Sequence, residues 1–316
     1  MTSNDVLVSI RDVSKSFGGA LALDSVSLDI GPHEVHGLLG ENGSGKSTLI
    51  KVLSGFHDPD SGSLSVRGTD VPLPLPAGRY RELGFEFVHQ DLGLVPTLTV
   101  AENLFLYQTA GSRAVFASPS AARRDAKRIL GQHGVDLDPA ATVDSIRPVD
   151  RAMLAIIRAI ENLRLLGGAT LLVLDEPTVF LPQDEVDVLF GFVRSIVADG
   201  ASVLFVSHDL DEVLSITDRV TVLRDGRVAG SVETSTVDKA GLVQMIIGHE
   251  LSAHDRDEPV APESHAPALL HVEHLSTTSL ADISFTVHQG EVLGFARLVG
   301  SGYEDVVYSL FGANDS

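Results

Sequence analysis

The stretch that most constrains this chain is the nine residues from Gly40 to Thr48, G-E-N-G-S-G-K-S-T. They match the complete phosphate-binding pattern G-x-x-x-x-G-K-[ST]. The apolar run Val35–Leu39 precedes them and predicts a buried strand, and the residues from Thr48 to Leu53 predict the start of a helix. This order of strand, loop and helix is the setting that the pattern requires. The sequence therefore predicts a site for a nucleoside triphosphate.

The residue types in this loop suit polyphosphate chemistry. Glycines let consecutive backbone N–H groups point at the phosphates, and the helix N-terminus adds partial positive charge. We expect Lys46 to reach the β- and γ-phosphates and the Ser47 hydroxyl to bind Mg²⁺. The alternative, a glycine-rich turn with a chance Lys-Ser pair, is disfavoured by the flanking strand and helix. All nine residues are candidate nucleotide contacts: Gly40, Glu41, Asn42, Gly43, Ser44, Gly45, Lys46, Ser47 and Thr48.

Composition limits the class of protein. A length of 316 residues suggests two domains, and an apolar share of 44% is enough for a core. The net charge of −20 argues against nucleic acid as a partner, because a phosphate backbone requires a basic surface. The chain has no cysteine, no apolar signal segment at its start and no apolar run of about 18 residues. We expect a soluble, cytosolic chain unless a partner holds it at a membrane.

Strand and helix patterns alternate along the chain and predict an α/β fold with a parallel sheet. Polar residues follow several of the predicted strands, at the edge where such sheets bind ligands. The further predicted strands are Val6–Ile10, Leu23–Ile30, Ser63–Val66, Gly84–Gln90, Thr170–Leu174 and Ser202–Val206, and the predicted helices are residues 121–134, 151–166 and 184–198.

Five separated features in this order resemble the nucleotide-binding subunit of ABC transporters: Phe17, the phosphate loop, Gln90, Asp175-Glu176 and His208. The resemblance covers about residues 5–250. It implies a P-loop NTPase fold of the ABC type, with a RecA-like core, an antiparallel β subdomain and a helical subdomain at about residues 91–165.

The resemblance also implies a role for each residue. Asp175 would hold Mg²⁺, Glu176 would be the general base toward water, and Gln90 would contact both the metal and the water. His208 would hydrogen-bond the γ-phosphate, and Phe17 would stack on adenine. Taken singly, each has a structural alternative: a turn after a strand for Asp175-Glu176, a helix cap for His208, a polar loop residue for Gln90 and a core residue for Phe17. Their joint order favours the functional assignment, with ATP and Mg²⁺ as cofactors and Lys46 contributing to catalysis.

One expected feature of the family is missing. Members carry L-S-G-G-Q or a close variant before a helix that ends I-A-R-A-L. Counting back from Ile156–Ile160 places this signature at Ile146–Asp150, which has the sequence I-R-P-V-D. Pro148 lacks an N–H donor and Asp150 adds negative charge. We expect this segment to be inactive as a transition-state clamp, although weak attraction of phosphate by Arg147 stays open.

An internal repeat follows. Leu23–Leu28 recurs as Leu280–Phe285, and residues 251–267 have the composition of a mobile linker. We therefore predict one whole ABC domain at residues 5–250 and the first, β-rich part of a second at residues 268–316. The second phosphate loop is degenerate, since Arg297, Tyr303, Glu304 and Asp305 replace Gly40, Lys46, Ser47 and Thr48. We expect the natural chain to continue past Ser316.

ABC domains associate head to tail, so the degenerate second loop would face the degenerate signature, and the tandem protein would have one active composite site. Tandem domains of this kind resemble the ATPase subunits of bacterial monosaccharide importers of the ribose and galactose type. That resemblance implies transmembrane permease subunits as partners, an indirect link to a solute-binding protein and a location on the inner face of the cell membrane. Residues 89–106 would receive a coupling helix of the permease. Two alternatives remain, a soluble ABC ATPase acting on ribosomes or DNA and a regulatory member that binds ATP with little turnover.

Overall fold

The computed structural model describes residues 6–106, 119–166, 171–248, 267–277, 280–295 and 303–312. The chain divides into two compact units, residues 1–250 and 251–316. Arg297, Thr170 and almost all of the predicted linker lie outside the described residues. No described helix is both long enough and apolar enough to cross a membrane.

A six-stranded sheet forms the centre of the first unit, in the order β10-β9-β3-β8-β7-β6. Its first five strands in chain order run parallel, and β10 closes one edge antiparallel to β9. This confirms the parallel α/β fold. The strands are β3 Val35–Leu39, β6 Phe85–Val88, β7 Leu171–Asp175, β8 Ser202–Ser207, β9 Arg219–Arg224 and β10 Arg227–Glu233.

A second, antiparallel sheet has the order β2-β1-β4-β5. Its strands are β1 Val8–Phe17, β2 Ala20–Ile30, β4 Ser61–Val66 and β5 Thr69–Val71. The sequence predicted only Val6–Ile10 for the first strand, and this was wrong at both ends. Register shifts after Ile10 and Val13 break the two-residue alternation, so the polar second half of β1 has no readable strand pattern although it pairs with β2.

Helices cover both faces of the parallel sheet or lie at its edges. They are α1 Lys46–Leu53, α2 Arg79–Glu82, α3 Val100–Leu104, α4 Pro119–Gln132, α5 Pro148–Leu166, α6 Gln183–Ala198, α7 Leu210–Ile216 and α8 Lys239–Ile247.

The start of α5 differs from the prediction at Arg151. The helix begins at Pro148, and its backbone ladder is established where Arg151 N donates to Arg147 O at 3.1 Å. Proline suits a first helical position because its missing N–H would have no partner within the helix there. The last three residues of the predicted signature segment, Pro148 to Asp150, therefore form a helical turn.

Two hydrophobic cores lie on opposite faces of the central sheet. Leu172 and Leu174 of β7 contribute to the core beneath α4, α5 and α6, whereas Leu171 and Val173 contribute to the core shared with α1 and the antiparallel sheet. Successive side chains of a strand point to opposite faces. This double burial explains why β7 is apolar throughout until Asp175.

The second unit contains a two-stranded antiparallel ribbon, β11 Ala268–Leu275 and β12 Ile283–His288, and the helix α9 Tyr303–Leu310. The second half of the predicted repeat lies on β12, while Leu280 precedes the strand and is buried. That these elements belong to a partial second ABC domain stays a prediction.

Candidate nucleotide-binding site

The phosphate loop connects β3 to α1, as the sequence predicted. Gly45, which precedes α1, has a φ of 107°, and a Cβ at this position would lie 2.7 Å from Ala22 O. A Cβ at Gly40 would lie 2.4 Å from Leu223 O. Both positions therefore require glycine, since any side chain would collide with a carbonyl of a neighbouring strand or loop.

Lys46 is buried, and its side chain folds back over the loop. Its Nζ donates to Gly40 O at 2.6 Å and to Glu41 O at 3.0 Å. Burial lowers the pKa of this ammonium group, and the negative charges of Glu176 and Asp175 partly oppose that shift. The ammonium group of Lys46 thus bonds to loop carbonyls and feels the charge of two carboxylates. Its position at the loop suits the binding of a polyphosphate.

Two carboxylates stand at the carboxyl end of β7. Asp175 is the last residue of the strand, and Glu176 follows with a φ of 51°. The backbone N–H of Glu176 donates to Val206 O of β8 at 2.9 Å, which fixes this left-handed residue beside the sheet. The Glu176 side chain points toward His208, whose Nδ1 lies 2.9 Å from Glu176 Oε1. Two residues 32 apart in sequence therefore meet, because β7 and β8 are neighbours and end at the same edge.

His89 is a site residue that the sequence reasoning missed. Its Nδ1 lies 3.9 Å from Asp175 Oδ2, and its ring stacks on Phe87 with an interplanar angle of 11°. The interaction with the Asp175 carboxylate raises the pKa of His89. Its position directly after β6 and before Gln90 was the available signal, because β6 and β7 are adjacent parallel strands.

Lys46, Asp175 and Glu176 line one cavity of about 320 Å³. The cavity joins the phosphate loop, the turn after β6 and the end of β7. Its lining residues are Ala22, Asn42, Gly43, Gly45, Lys46, Ser47, Thr48, Gln90, Asp175 and Glu176.

The remaining loop residues and His208 lie just outside this lining. Glu41 and Ser44 line a smaller neighbouring cavity, and Gly40 contributes its carbonyl to Lys46. His208 contacts the site through Glu176.

Phe17 is not among the residues that line the cavity. It ends β1 with 44% of its surface exposed, its ring edge contacts His57 at 5.0 Å between centroids, and Lys15 Nζ lies 5.2 Å from its centroid. The stacking of adenine on Phe17 stays a prediction.

The donor set fits MgATP. A hydroxyl, a side-chain amide oxygen and a carboxylate, from Ser47, Gln90 and Asp175, face the same cavity. Mg²⁺ prefers hard oxygen ligands of this kind together with phosphate oxygens. The two glycine positions that cannot hold a Cβ let the loop pack closely against Leu223 and Ala22 beside this cavity. The loop therefore suits a nucleotide, and the oxygen groups at the carboxylate edge are of the kind that Mg²⁺ prefers.

The segment Ile146–Asp150 has a different structure. Arg147 forms a bidentate pair with Asp150, with Nε to Oδ2 at 2.8 Å and Nη2 to Oδ1 at 2.9 Å. The backbone N–H of Val149 donates to Glu185 Oε2 of α6 at 3.0 Å. The cation and the N–H group at the start of α5 thus already have anionic partners within this unit.

Fold and site together define a P-loop nucleotide-binding protein. Comparison with known proteins identifies the family: the model described as "ABC transporter" matches residues 23–179. The chain therefore contains an ATP-binding domain of the ABC transporter family.

Solved structures agree on the fold. An ATP-binding cassette of an ABC transporter in its ADP conformation superposes with a TM-score of 0.66 at 23% identity, over 77% of this chain and 99% of that one. A nucleotide-free ATP-binding cassette from an ABC transporter gives a TM-score of 0.63 at 22% identity, over 77% of this chain and 96% of that one. These confirm the predicted ABC-type fold.

Relatives of known name are longer than this chain. It is 40% identical to the ribose import ATP-binding protein RbsA 3 of Rubrobacter xylanophilus over 98% of its own length and 60% of that protein. It is 34% identical to the galactose/methyl galactoside import ATP-binding protein MglA of Salmonella typhimurium over 99% of its own length and 60% of that protein. The chain thus spans about 60% of the length of these relatives.

Proposed function

We propose that the first unit binds MgATP and hydrolyses it to energise an ABC importer, with a sugar as the transported solute. The observation that carries the proposal is the single cavity that brings Lys46, Gln90, Asp175 and Glu176 to the phosphate loop. Cation, metal ligands and a carboxylate are the parts that phosphoryl transfer requires, because this reaction depends on positioning and charge neutralisation.

Lys46 and the loop N–H groups would bind the β- and γ-phosphates. On ATP binding, Lys46 Nζ would exchange its bonds to Gly40 O and Glu41 O for phosphate oxygens. Ser47, Gln90 and Asp175 would hold Mg²⁺, which when bound neutralises charge on the phosphates. In the proposed binding mode, Phe17 would stack on adenine from the end of β1.

Glu176 is proposed as the general base. Its carboxylate lines the cavity, and the contact of Oε1 with His208 Nδ1 at 2.9 Å fixes its orientation. A base must lie within hydrogen-bond reach of the attacking water, and a held rotamer reduces the cost of reaching that geometry. His208 would add a hydrogen bond to the γ-phosphate.

One active composite site is the proposed arrangement of the tandem protein. In head-to-tail pairing, a second domain's signature would complete the intact loop, whereas Ile146–Asp150 would face the degenerate second loop. The pairing of Arg147 with Asp150 and of Val149 N with Glu185 supports this view, since both groups that could attract phosphate are already occupied.

The names of the relatives support a sugar importer. Ribose and galactose import proteins match nearly the whole chain. The proposed partners are transmembrane permease subunits at the inner face of the cell membrane, and a solute-binding protein acting through them. A cavity of about 270 Å³ beside Gln90, lined among others by Leu92, Leu94 and Pro96, lies in the segment expected to receive a permease helix. The charge of −20 supports the exclusion of nucleic acid.

A regulatory protein that binds ATP with little turnover is the second candidate. The occupied start of α5 favours it, because a chain without a usable signature cannot complete a site with a second copy of itself. Retention of Glu176 and its contact with His208 favours hydrolysis instead. Rates of hydrolysis separate the two.

The test is ATP binding and hydrolysis by the 316-residue chain and by a version extended to the length of its relatives. Glu176→Gln should change the Kd for ATP less than about twofold and lower the hydrolysis rate by about 10²–10⁴-fold. Glu233→Gln, an exposed carboxylate on β10, is the matched control and should retain the rate.

Unchanged hydrolysis in Glu176→Gln would remove that residue from the role of base. ATP binding without turnover in both lengths would instead favour the regulatory protein. Two tightly bound ATP molecules per extended chain would contradict a single active site.

A further inference from the structure

Gln90 lies in a turn whose shape is set by the backbone. It follows β6, its side chain is exposed, and no side chain among the described residues hydrogen-bonds its amide. The next residues that leave the turn, Leu92 and Gly93, both have left-handed backbones, with φ of 57° and 55°. A left-handed conformation is unfavourable for leucine, so contacts from elsewhere must stabilise this turn.

Arg158 supplies those contacts from the middle of α5. Its Nη1 donates to Gly93 O at 2.8 Å and its Nη2 to Leu92 O at 2.8 Å. The side chain is only 6% exposed, so both bonds form away from bulk water. The planar guanidinium can address two adjacent carbonyls at fixed spacing, whereas the ammonium group of a lysine is a single point of charge.

The same arginine also faces the strand that leads into the turn. Glu86 of β6 is buried, and burial raises the pKa of its carboxyl, while the positive charges of Arg81 and Arg158 oppose that shift. Arg158 therefore hydrogen-bonds the backbone that leaves the Gln90 turn and interacts electrostatically with a side chain of the strand that enters it.

The segment that follows the Gln90 turn, from Val95 to Thr99, is held by the side chain of Asn103. Its side-chain oxygen accepts from Val95 N at 2.8 Å, and its Nδ2 donates to the carbonyls of Val95, Leu98 and Thr99. With Val88 in the sheet and Leu92 held by Arg158, the three residues His89, Gln90 and Asp91 bridge two fixed points. The position of one end of this three-residue segment therefore depends on Arg158.

We infer that Arg158 is a positioning residue that sets Gln90 at the metal side of the nucleotide site by fixing the carbonyls of Leu92 and Gly93. This inference rests on the proposed function, in which Gln90 binds Mg²⁺. It connects α5, which begins at the Ile146–Asp150 segment, to the cavity at the carboxylate edge. Without the two hydrogen bonds of the guanidinium group, the turn can adopt other conformations and the Gln90 side chain no longer has a fixed position. The phosphate loop keeps its geometry.

The test measures the Kd of ATP for the 316-residue chain with Mg²⁺ and again with the metal chelated. The ratio of the two constants is the metal-dependent gain in affinity. Arg158→Lys should lower this gain by about fivefold to tenfold, as expected for the net loss of one ordinary hydrogen bond. Its affinity for metal-free ATP should stay within about twofold of the wild-type value, because Lys46 and the loop are untouched.

A double-mutant cycle with Gln90→Ala shows whether Arg158 acts through Gln90. In the Gln90→Ala background, Arg158→Lys should change the metal-dependent gain less than about twofold. Arg164→Lys is the matched control, since Arg164 is an exposed arginine on the same helix that pairs with Glu161. It should leave both constants unchanged.

Several outcomes would overturn the inference alone: an unchanged gain in Arg158→Lys, equal losses with and without Mg²⁺, or the same loss in the Gln90→Ala background. A gain that survives Gln90→Ala would also overturn it, because Arg158 would then have no metal ligand to position. A wild-type chain that binds no ATP would overturn the proposed function together with the inference.

Discussion

Two helices of this unit begin in opposite ways. At the start of α1, the glycine loop caps the helix without a side-chain hydrogen bond, and Gly45 and Lys46 line an open cavity. At the start of α5, Asp150 pairs with Arg147, and Glu185 accepts the N–H of Val149. Both helix starts carry partial positive charge. The difference is that one leaves this charge available to a ligand, and the other neutralises it with carboxylates of the same chain.

The comparison indicates that a helix start is available to an external anion when no carboxylate of the same chain already pairs with it. Around α1 the carboxylates of Asp175 and Glu176 line the same cavity as Gly45 and Lys46, and no hydrogen bond from either to the start of α1 is present among the described residues. Around α5 the carboxylate of Glu185 accepts the backbone N–H of Val149, and the carboxylate of Asp150 pairs with the guanidinium of Arg147 just before the helix. The predictions below test this contrast, beginning with the largest effect.

Removing the cation of α1 should have the largest effect. Lys46→Met should weaken ATP binding by about 100-fold, because a charge-assisted contact to phosphate is lost from a buried position. Isothermal titration calorimetry measures the change. Lys51→Met, on the exposed side of the same helix, is the matched control and should bind ATP like the wild type. Equal losses in both variants would mean that the general charge of α1, and not the position of Lys46, attracts the nucleotide.

Opening the start of α5 should affect stability more than binding. Glu185→Ala leaves Val149 N without its carboxylate and should lower the free energy of unfolding by about 1–2 kcal/mol more than Asp184→Ala. Asp184 lies in the same first turn of α6 and serves as the matched control. Urea unfolding gives the difference.

ATP stoichiometry should be the same in both variants, because the Arg147–Asp150 pair remains. A second bound ATP in Glu185→Ala would show that Glu185 alone keeps phosphate away from α5, and the contrast between the two helix starts would then depend on one side chain.

Alkaline pH should produce the smallest effect. Burial lowers the pKa of Lys46 in the free chain, and bound phosphates would favour its charged form and raise that pKa again. Between the two values, ATP binding takes up a proton, so affinity should fall by a few-fold as pH rises through this window. Binding enthalpies in buffers of different ionisation enthalpy measure the uptake. An enthalpy independent of the buffer throughout the alkaline range would contradict the coupling.

The phosphate loop and its place before α1 could be predicted from sequence because the residues that determine them are consecutive. The strand, the loop and the helix follow one another within 19 residues, Val35 to Leu53, and the structure has them in the predicted order, with the helix beginning at Lys46 and not at Thr48. The parallel sheet and its apolar strands were equally readable. The roles assigned to Gln90, Asp175, Glu176, His208 and Phe17 came from the resemblance to a family and stay predictions.

The structure at the start of α5 could be predicted only in part. Its substituted residues were visible, but Glu185 is 36 residues from Val149 and belongs to another helix. Arg158 was noted only as part of a helix end, and its bonds to Leu92 and Gly93 span 66 and 65 residues. The short helix Val100–Leu104 had a local signal that was missed, since Thr99 and Glu102 form a capping box.

The floor of the phosphate loop has a consequence for how the chain matures. Gly226 N donates to Ser44 O at 3.1 Å, and Asp24 N donates to Gly226 O at 2.8 Å. The loop that binds phosphate is thus supported by a turn made more than 180 residues later in the sequence. During synthesis, a ribosome-bound chain can complete this support only after the turn between β9 and β10 has emerged and paired. We therefore expect affinity for ATP to appear late in synthesis, once the first unit is almost complete, so that ATP binding stabilises a folded domain and not a partly made one.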